Sequence, residues 1–211
     1  MDRGRVEGVH SEGVRFILCM LSISQFYLVL LGGWLIVGIG LLSILFAILY
    51  TGGPYPLAYN GLGDIFVLLF FGLIAVSGTY YLYTDYFSIN SFILGSSAGC
   101  LATAILVVNN LRDVDNDKEY GKNTLAVYFG KKFTQFEYLL LMIIVYIIPI
   151  YISIELGNKS SIYIVYFTLP ISIRLMIDVF YKKNSMLNET LEATAKLLLL
   201  YSLLLSFGMV V

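Results

Sequence analysis

The chain has 211 residues, 59% of them hydrophobic and only 13% charged, with a mean hydropathy of +0.85; an ordinary soluble domain carries about 25% charged residues, so a water-soluble reading is excluded. The formal net charge of -1 says little alone, because in a membrane protein the side on which charge lies matters more than its sum. One histidine, His10, and two cysteines within apolar runs, Cys19 and Cys100, exclude imidazole-rich metal sites and a disulfide framework, leaving chemistry to carboxylates and cations.

The leader "MDRGRVEGVHSEGVR" is of mixed charge and lacks the pattern of a cleavable signal, so it reads as a loop entering a first span. A helix needs about 20 apolar residues to cross a bilayer. That length predicts seven spans, near 14–31, 34–50, 63–83, 88–110, 137–154, 161–181 and 194–211. Gly32 and Gly33 would form the turn of a hairpin between the first two, since glycine tolerates positive φ. The chain reads as an all-α polytopic bundle forming a single domain over 1–211.

These spans sort the loops into two sets on opposite faces. The leader, 51–62, 111–136 and 182–193 fall together, against the turn at 32–33, 84–88 and 155–161. Giving each cation to its nearer end puts twelve of the thirteen Lys and Arg residues with the first set, and only Lys159 with the second. The positive-inside rule then makes the first set cytoplasmic, in the cell membrane, with the working loops on that face. Within the sixth span Arg174 and Asp178 lie four apart and read as an intrahelical pair.

The segment "NNLRDVDNDKEYGKNTLAV", 109–127, concentrates charge between two apolar stretches. If the fourth span continues as a helix, Asp113 and Asp117 lie about 40° apart on one face, while Asp115 points away. Two neighbouring carboxylates suit Mg²⁺, which takes one or two of them and fills its shell with water and phosphate oxygens. Arg112 offers a bidentate contact, Lys118 and Lys122 offer point charges, and Gly121 permits a sharp turn. Asn109 and Asn110 stand at the inner end of the span, where an amide must be hydrogen-bonded or face a cavity. A plain anchoring loop is the competing reading.

On "NNLRDVDNDKEYGKNTLAVYFG" the chain resembles the second aspartate-rich motif of the UbiA family of intramembrane aromatic prenyltransferases, in the branch that acts on 1,4-dihydroxy-2-naphthoate in menaquinone synthesis. "YTGGPYPLAYNGLGDIFVLLFFGLIAVSGTYY" at 50–81 and "LNETLEATAKLLLLYSLLLSFG" at 187–208 are similar to that branch's second cytoplasmic loop and terminal helix. The resemblance implies nine transmembrane helices and two aspartate motifs that hold Mg²⁺ against a polyprenyl diphosphate. The first motif is not found, and seven is nine minus two, so the chain resembles a member lacking its N-terminal part.

The resemblance implies transfer of a polyprenyl group to 1,4-dihydroxy-2-naphthoate with release of diphosphate and CO₂, giving demethylmenaquinone. Asp113 and Asp117 would be metal ligands; Asn109, Arg112 and Lys122 would contact the diphosphate. Tyr55 and Asp64, in the loop at 50–64, are candidates for the aromatic acceptor, though interfacial tyrosines need no such role. The prenyl tail would lie on apolar helix faces open to the lipid bilayer, and no nucleic acid is expected as a partner. Two alternatives stay open: a catalytically incompetent remnant or non-enzymatic membrane protein, and a prenyltransferase for another acceptor such as 4-hydroxybenzoate.

Overall fold

Long apolar runs with few helix breakers must satisfy their own backbone polar groups in hydrocarbon, and helices do so. The computed structural model describes the backbone of residues 3–211 and the side chains from Gln25 onward. Its helical runs are α1 (Arg3–Thr51), α2 (Gly63–Thr84), α3 (Ile89–Glu119), α4 (Leu125–Glu155), α5 (Ser160–Tyr181) and α6 (Leu187–Val210). The described residues contain no strand, and six of their helices are long and apolar enough to cross a membrane.

Six of the expected seven spans fall within the residues whose side chains are described; most of the first, at 14–31, lies outside them. Residues 14–31 and 34–50 belong to one helical run, interrupted only at Gly33, whose φ of 59° and ψ of -152° lie outside the helical region. Glycine thus breaks the helix as expected, without a loop between two separate elements. Most of the span at 14–31, with His10, Cys19 and the cations of the leader, lies outside the described side chains.

The core forms where α3 and α4 meet α6, around Leu101, Val108, Tyr138, Ile152, Leu197 and Tyr201, all essentially inaccessible. Buried hydroxyls link these helices. Tyr201 donates to the Val145 carbonyl at 2.7 Å, and the Tyr138 and Thr194 hydroxyls lie 3.0 Å apart.

Between α2 and α3 the contact is made by small residues, as is common where helices pack in lipid. A Cβ on Gly72 would come 2.5 Å from the Gly99 Cα and 2.6 Å from the Gly95 oxygen. The backbones therefore touch directly, beside a π-helical stretch of α2 at Leu68–Ile74. Outward faces remain apolar, with Phe71, Tyr83, Ile147, Phe167 and Leu203 exposed, as a hydrocarbon solvent requires.

The polar loops gather at one end. The Asn123 amide donates to the Tyr59 carbonyl at 2.9 Å, and the Arg112 guanidinium donates to Asn188 at 2.9 Å. Loops 52–62, 120–124 and 182–186 thereby share one face, in agreement with the loop sorting. Asp178 corrects the expected pair: it binds Lys182 at 3.0 Å, while Arg174 points outward, exposed. Both cations are four residues from Asp178, and only Lys182 also meets Glu189, at 3.1 Å.

Candidate active site

The fourth expected span does continue as a helix. α3 runs nine residues past 110 to Glu119, so Asp113 and Asp117 sit one turn apart. Gly121, with φ +70°, then ends it: the Lys122 amide donates to the Asp117 carbonyl at 2.8 Å and the Gly121 amide to Lys118 at 3.4 Å, the Schellman arrangement. This reversal turns Lys122 back along the helix. Its Nζ reaches Asp117 Oδ2 at 3.0 Å.

Arg112 is the hub of the site. Its Nε and Nη2 grip both oxygens of Asp113, at 2.7 Å and 2.5 Å. Nη2 also donates to Asn109 Oδ1 at 2.8 Å, and Nη1 to Asn188 Oδ1 at 2.9 Å. Asn109, Arg112 and Asp113 are thus joined in one network, with Asp117 and Lys122 as its neighbours on the helix. Each carboxylate already carries a cation, where the sequence suggested a bare pair. Asp115 points away and binds Lys131 at 2.8 Å; Lys118 is exposed.

Asn188, missed in the sequence, comes from the first turn of α6. The turn before it is held by Lys182, whose hydrogen bonds to Asp178 and Glu189 raise its pKa above the ordinary lysine value. No local pattern marks Asn188, because its partner is 76 residues away.

Beside this network lies a cavity of about 210 Å³, walled by Tyr50, Asp64, Leu106, Asn110, Lys122 and Thr124 among others. Asp64 is 5% exposed and Asn110 4%, yet Oδ1 of each lacks a hydrogen-bond partner. Asp64 stands in the first turn of α2, where the helix dipole favours a carboxylate. The Asn123 to Tyr59 bond brings its loop against Lys122 and Thr124. Tyr55 is not part of this cavity; it stands 59% exposed.

Tyr50 also lines a second cavity, an apolar groove of about 530 Å³ between α1 and α2, with Phe46, Phe66, Phe70 and Phe71. The Phe46 ring lies 5.0 Å from Phe66 and 5.6 Å from Phe70. Polar cavity and aromatic groove are therefore neighbours.

Among the described residues no three His, Cys, Asp or Glu side chains converge as a metal cluster. The hard oxygens of Asp113 and Asp117 do fit an ion that takes one or two carboxylates and completes its shell with water and phosphate.

Fold and site together define a polytopic helical membrane protein that gathers carboxylates, cations and amides at one end of an apolar bundle. The chain belongs to the UbiA prenyltransferase family, whose model matches residues 3–206. It is 37% identical over 177 residues to the 1,4-dihydroxy-2-naphthoate octaprenyltransferase of Haemophilus influenzae, covering 82% of this chain and 57% of that protein. The protein of the same name from Bacillus subtilis is 26% identical over 187 residues, 88% of this chain and 60% of that one. The Escherichia coli protein of that name is 48% identical over 93 residues, 44% of this chain and 30% of that one. The chain spans little more than half the length of the relatives it matches most fully.

Proposed function

We propose that this chain takes part in transferring a polyprenyl group from its diphosphate to 1,4-dihydroxy-2-naphthoate, with loss of diphosphate and CO₂, to give the prenylated 1,4-diol, the reduced (quinol) form of demethylmenaquinone. The observation that carries this reading is the shared wall at Tyr50 between a polar cavity and an aromatic groove. Such a pair suits a substrate with a charged head and a long apolar tail, together with a small aromatic partner. The names of the relatives supply the choice of acceptor.

In this reading Asp113 and Asp117 would hold Mg²⁺, which supplies charge neutralisation for a departing diphosphate. Arg112 turns its planar fork from Asp113 to the diphosphate when Mg²⁺ takes up that carboxylate, and Lys122 adds a movable point charge. Asn109 and Asn188 keep the guanidinium aimed. Asp117 and Lys122 are only partly exposed, so their charges act in a medium less screening than bulk water. Phe46, Phe66 and Phe70 take the first units of the tail, and its remainder lies against exposed apolar faces in lipid. The basic end faces the cytoplasm of the cell, as the distribution of Lys and Arg suggests.

The test is prenyl transfer by membranes holding the chain, given a polyprenyl diphosphate, Mg²⁺ and either 1,4-dihydroxy-2-naphthoate or 4-hydroxybenzoate. The expected outcome is product from the naphthoate alone, lost in Asp113→Ala and Asp117→Ala. Product only from 4-hydroxybenzoate would overturn the acceptor, and no product from either would overturn the catalytic role.

A further inference from the structure

The cavity at Asp64 contains two buried acceptor atoms whose hydrogen bonds are unmade, and desolvating such atoms without partners costs about 1–3 kcal/mol each. Asp64 and Asn110 line a space of a size for a ring hydroxyl to enter, and the Oδ1 of each has no hydrogen-bond partner. Of the residues lining it, Asp64 is the single carboxylate. Lys122 already donates to Asp117, and the amide of Asn110 and hydroxyl of Thr124 are far too weak as bases. A group able to take a proton is needed at this position by the chemistry itself.

We propose that Asp64 is a catalytic residue, the acceptor and later the donor of the aromatic hydroxyl proton, with Asn110 seating the ring beside it. This rests on the prenyl-transfer reading above. As the ring carbon bearing the carboxylate bonds to the allylic carbon, the allylic C–O bond breaks and its electron pair leaves on the diphosphate. The adjacent hydroxyl oxygen becomes a carbonyl, and its proton passes to Asp64. The resulting β-keto carboxylate loses CO₂; the electron pair of the broken C–C bond moves through the ring to that oxygen, which takes the proton back from Asp64. The residue ends as it began, and no outside acid is consumed.

Two readouts on the full chain in lipid nanodiscs test this, with Asp115→Asn as the control because Asp115 points away. The first is transfer to 1,4-dihydroxy-2-naphthoate. Asp64→Asn keeps the shape and loses the base, so the rate falls about 100-fold or more, and Asp64→Glu restores part of it. The second needs no turnover: 1-naphthol, whose hydroxyl becomes strongly acidic when excited, emits as naphtholate beside a base or in bulk water and as the neutral naphthol in a dry cavity without a base, so the emission of the bound fraction is read against free probe. Naphtholate emission in the wild type and its loss in Asp64→Asn are expected. An unchanged transfer rate or unchanged emission in Asp64→Asn overturns the assignment. A wild type that makes no prenylated product but shows the emission loss overturns the function and leaves the proton site standing.

Discussion

The amide nitrogen of Asn123 lies 2.9 Å from the carbonyl oxygen of Tyr59, and this bond fastens the loop leaving α3 to the loop entering α2. It is the reason Asp64 and Lys122 wall the same cavity although 58 positions of chain separate them. Asn123→Pro removes the donor, a change of about 1 kcal/mol locally. The loop at 52–62 should then become cleavable by protease in reconstituted vesicles, at a rate several times that of the wild type. Equal cleavage of both would show that the loop is held elsewhere.

Arg112 spends three nitrogens on three partners, and a lysine offers neither the fork nor the planarity. Arg112→Lys keeps the charge and is expected to weaken Mg²⁺-dependent diphosphate binding by roughly 10-fold to 100-fold, given about 1.5–3 kcal/mol for hydrogen bonds to charged groups. Calorimetric titration of the solubilised protein with diphosphate measures it. Affinity within twofold of the wild type would remove Arg112 from the anion site.

Asn188 touches Arg112 at one nitrogen only. Asn188→Ala therefore costs about 1 kcal/mol, near a fivefold loss of diphosphate affinity, and the double variant with Arg112→Lys should lose less than the sum of the two. Strict additivity would mean the two side chains act independently.

Gly99 has no room for a side chain: a Cβ there would lie 2.7 Å from the Leu68 oxygen and 3.0 Å from the Gly72 Cα. Gly99→Leu forces α2 and α3 apart at a cost on the order of 1–3 kcal/mol or more. Cys100, buried and free, provides the readout. In a Cys19→Ser background, its labelling by a thiol-reactive dye during heating in detergent should begin at a lower temperature in the variant.

Hydrophobic length made the helices legible but not their ends. α3 extends through 111–119 although Asp113, Asp115, Asn116 and Asp117 are weak helix formers; side chains of this stretch are tied to other elements, Arg112 to Asn188 and Asp115 to Lys131, and the stop comes from Gly121. α4 opens with a short turn at Leu125 that the Thr124 hydroxyl caps, accepting from the Val127 amide at 3.4 Å, and after a break at Gly130, φ 82° and ψ 171°, its long helix starts a few residues before the expected 137. Asn109, Arg112, Asp113, Asp117 and Lys122 could be found together because one helix and its terminal turn carry them all. Asn188 could not, being fixed by tertiary packing. Asp178 had cations four residues away on either side, and spacing gives no reason to choose Lys182. Tyr55 shared a loop with Asp64 but not its cavity, since the loop turns between them through Leu57–Tyr59 and Gly61.

α3 has a mechanical role that its two ends reveal only together. One stretch is locked against α2 at Gly95 and Gly99; Asp113 lies fourteen residues beyond Gly99, roughly 21 Å at 1.5 Å per residue. The helix between them is uninterrupted, so it behaves as a stiff spar clamped in its first third. A small tilt at the glycine clamp is magnified at the carboxylates, and the aim of Asp113 and Asp117 is therefore set deep in the bilayer, by residues that never meet a substrate.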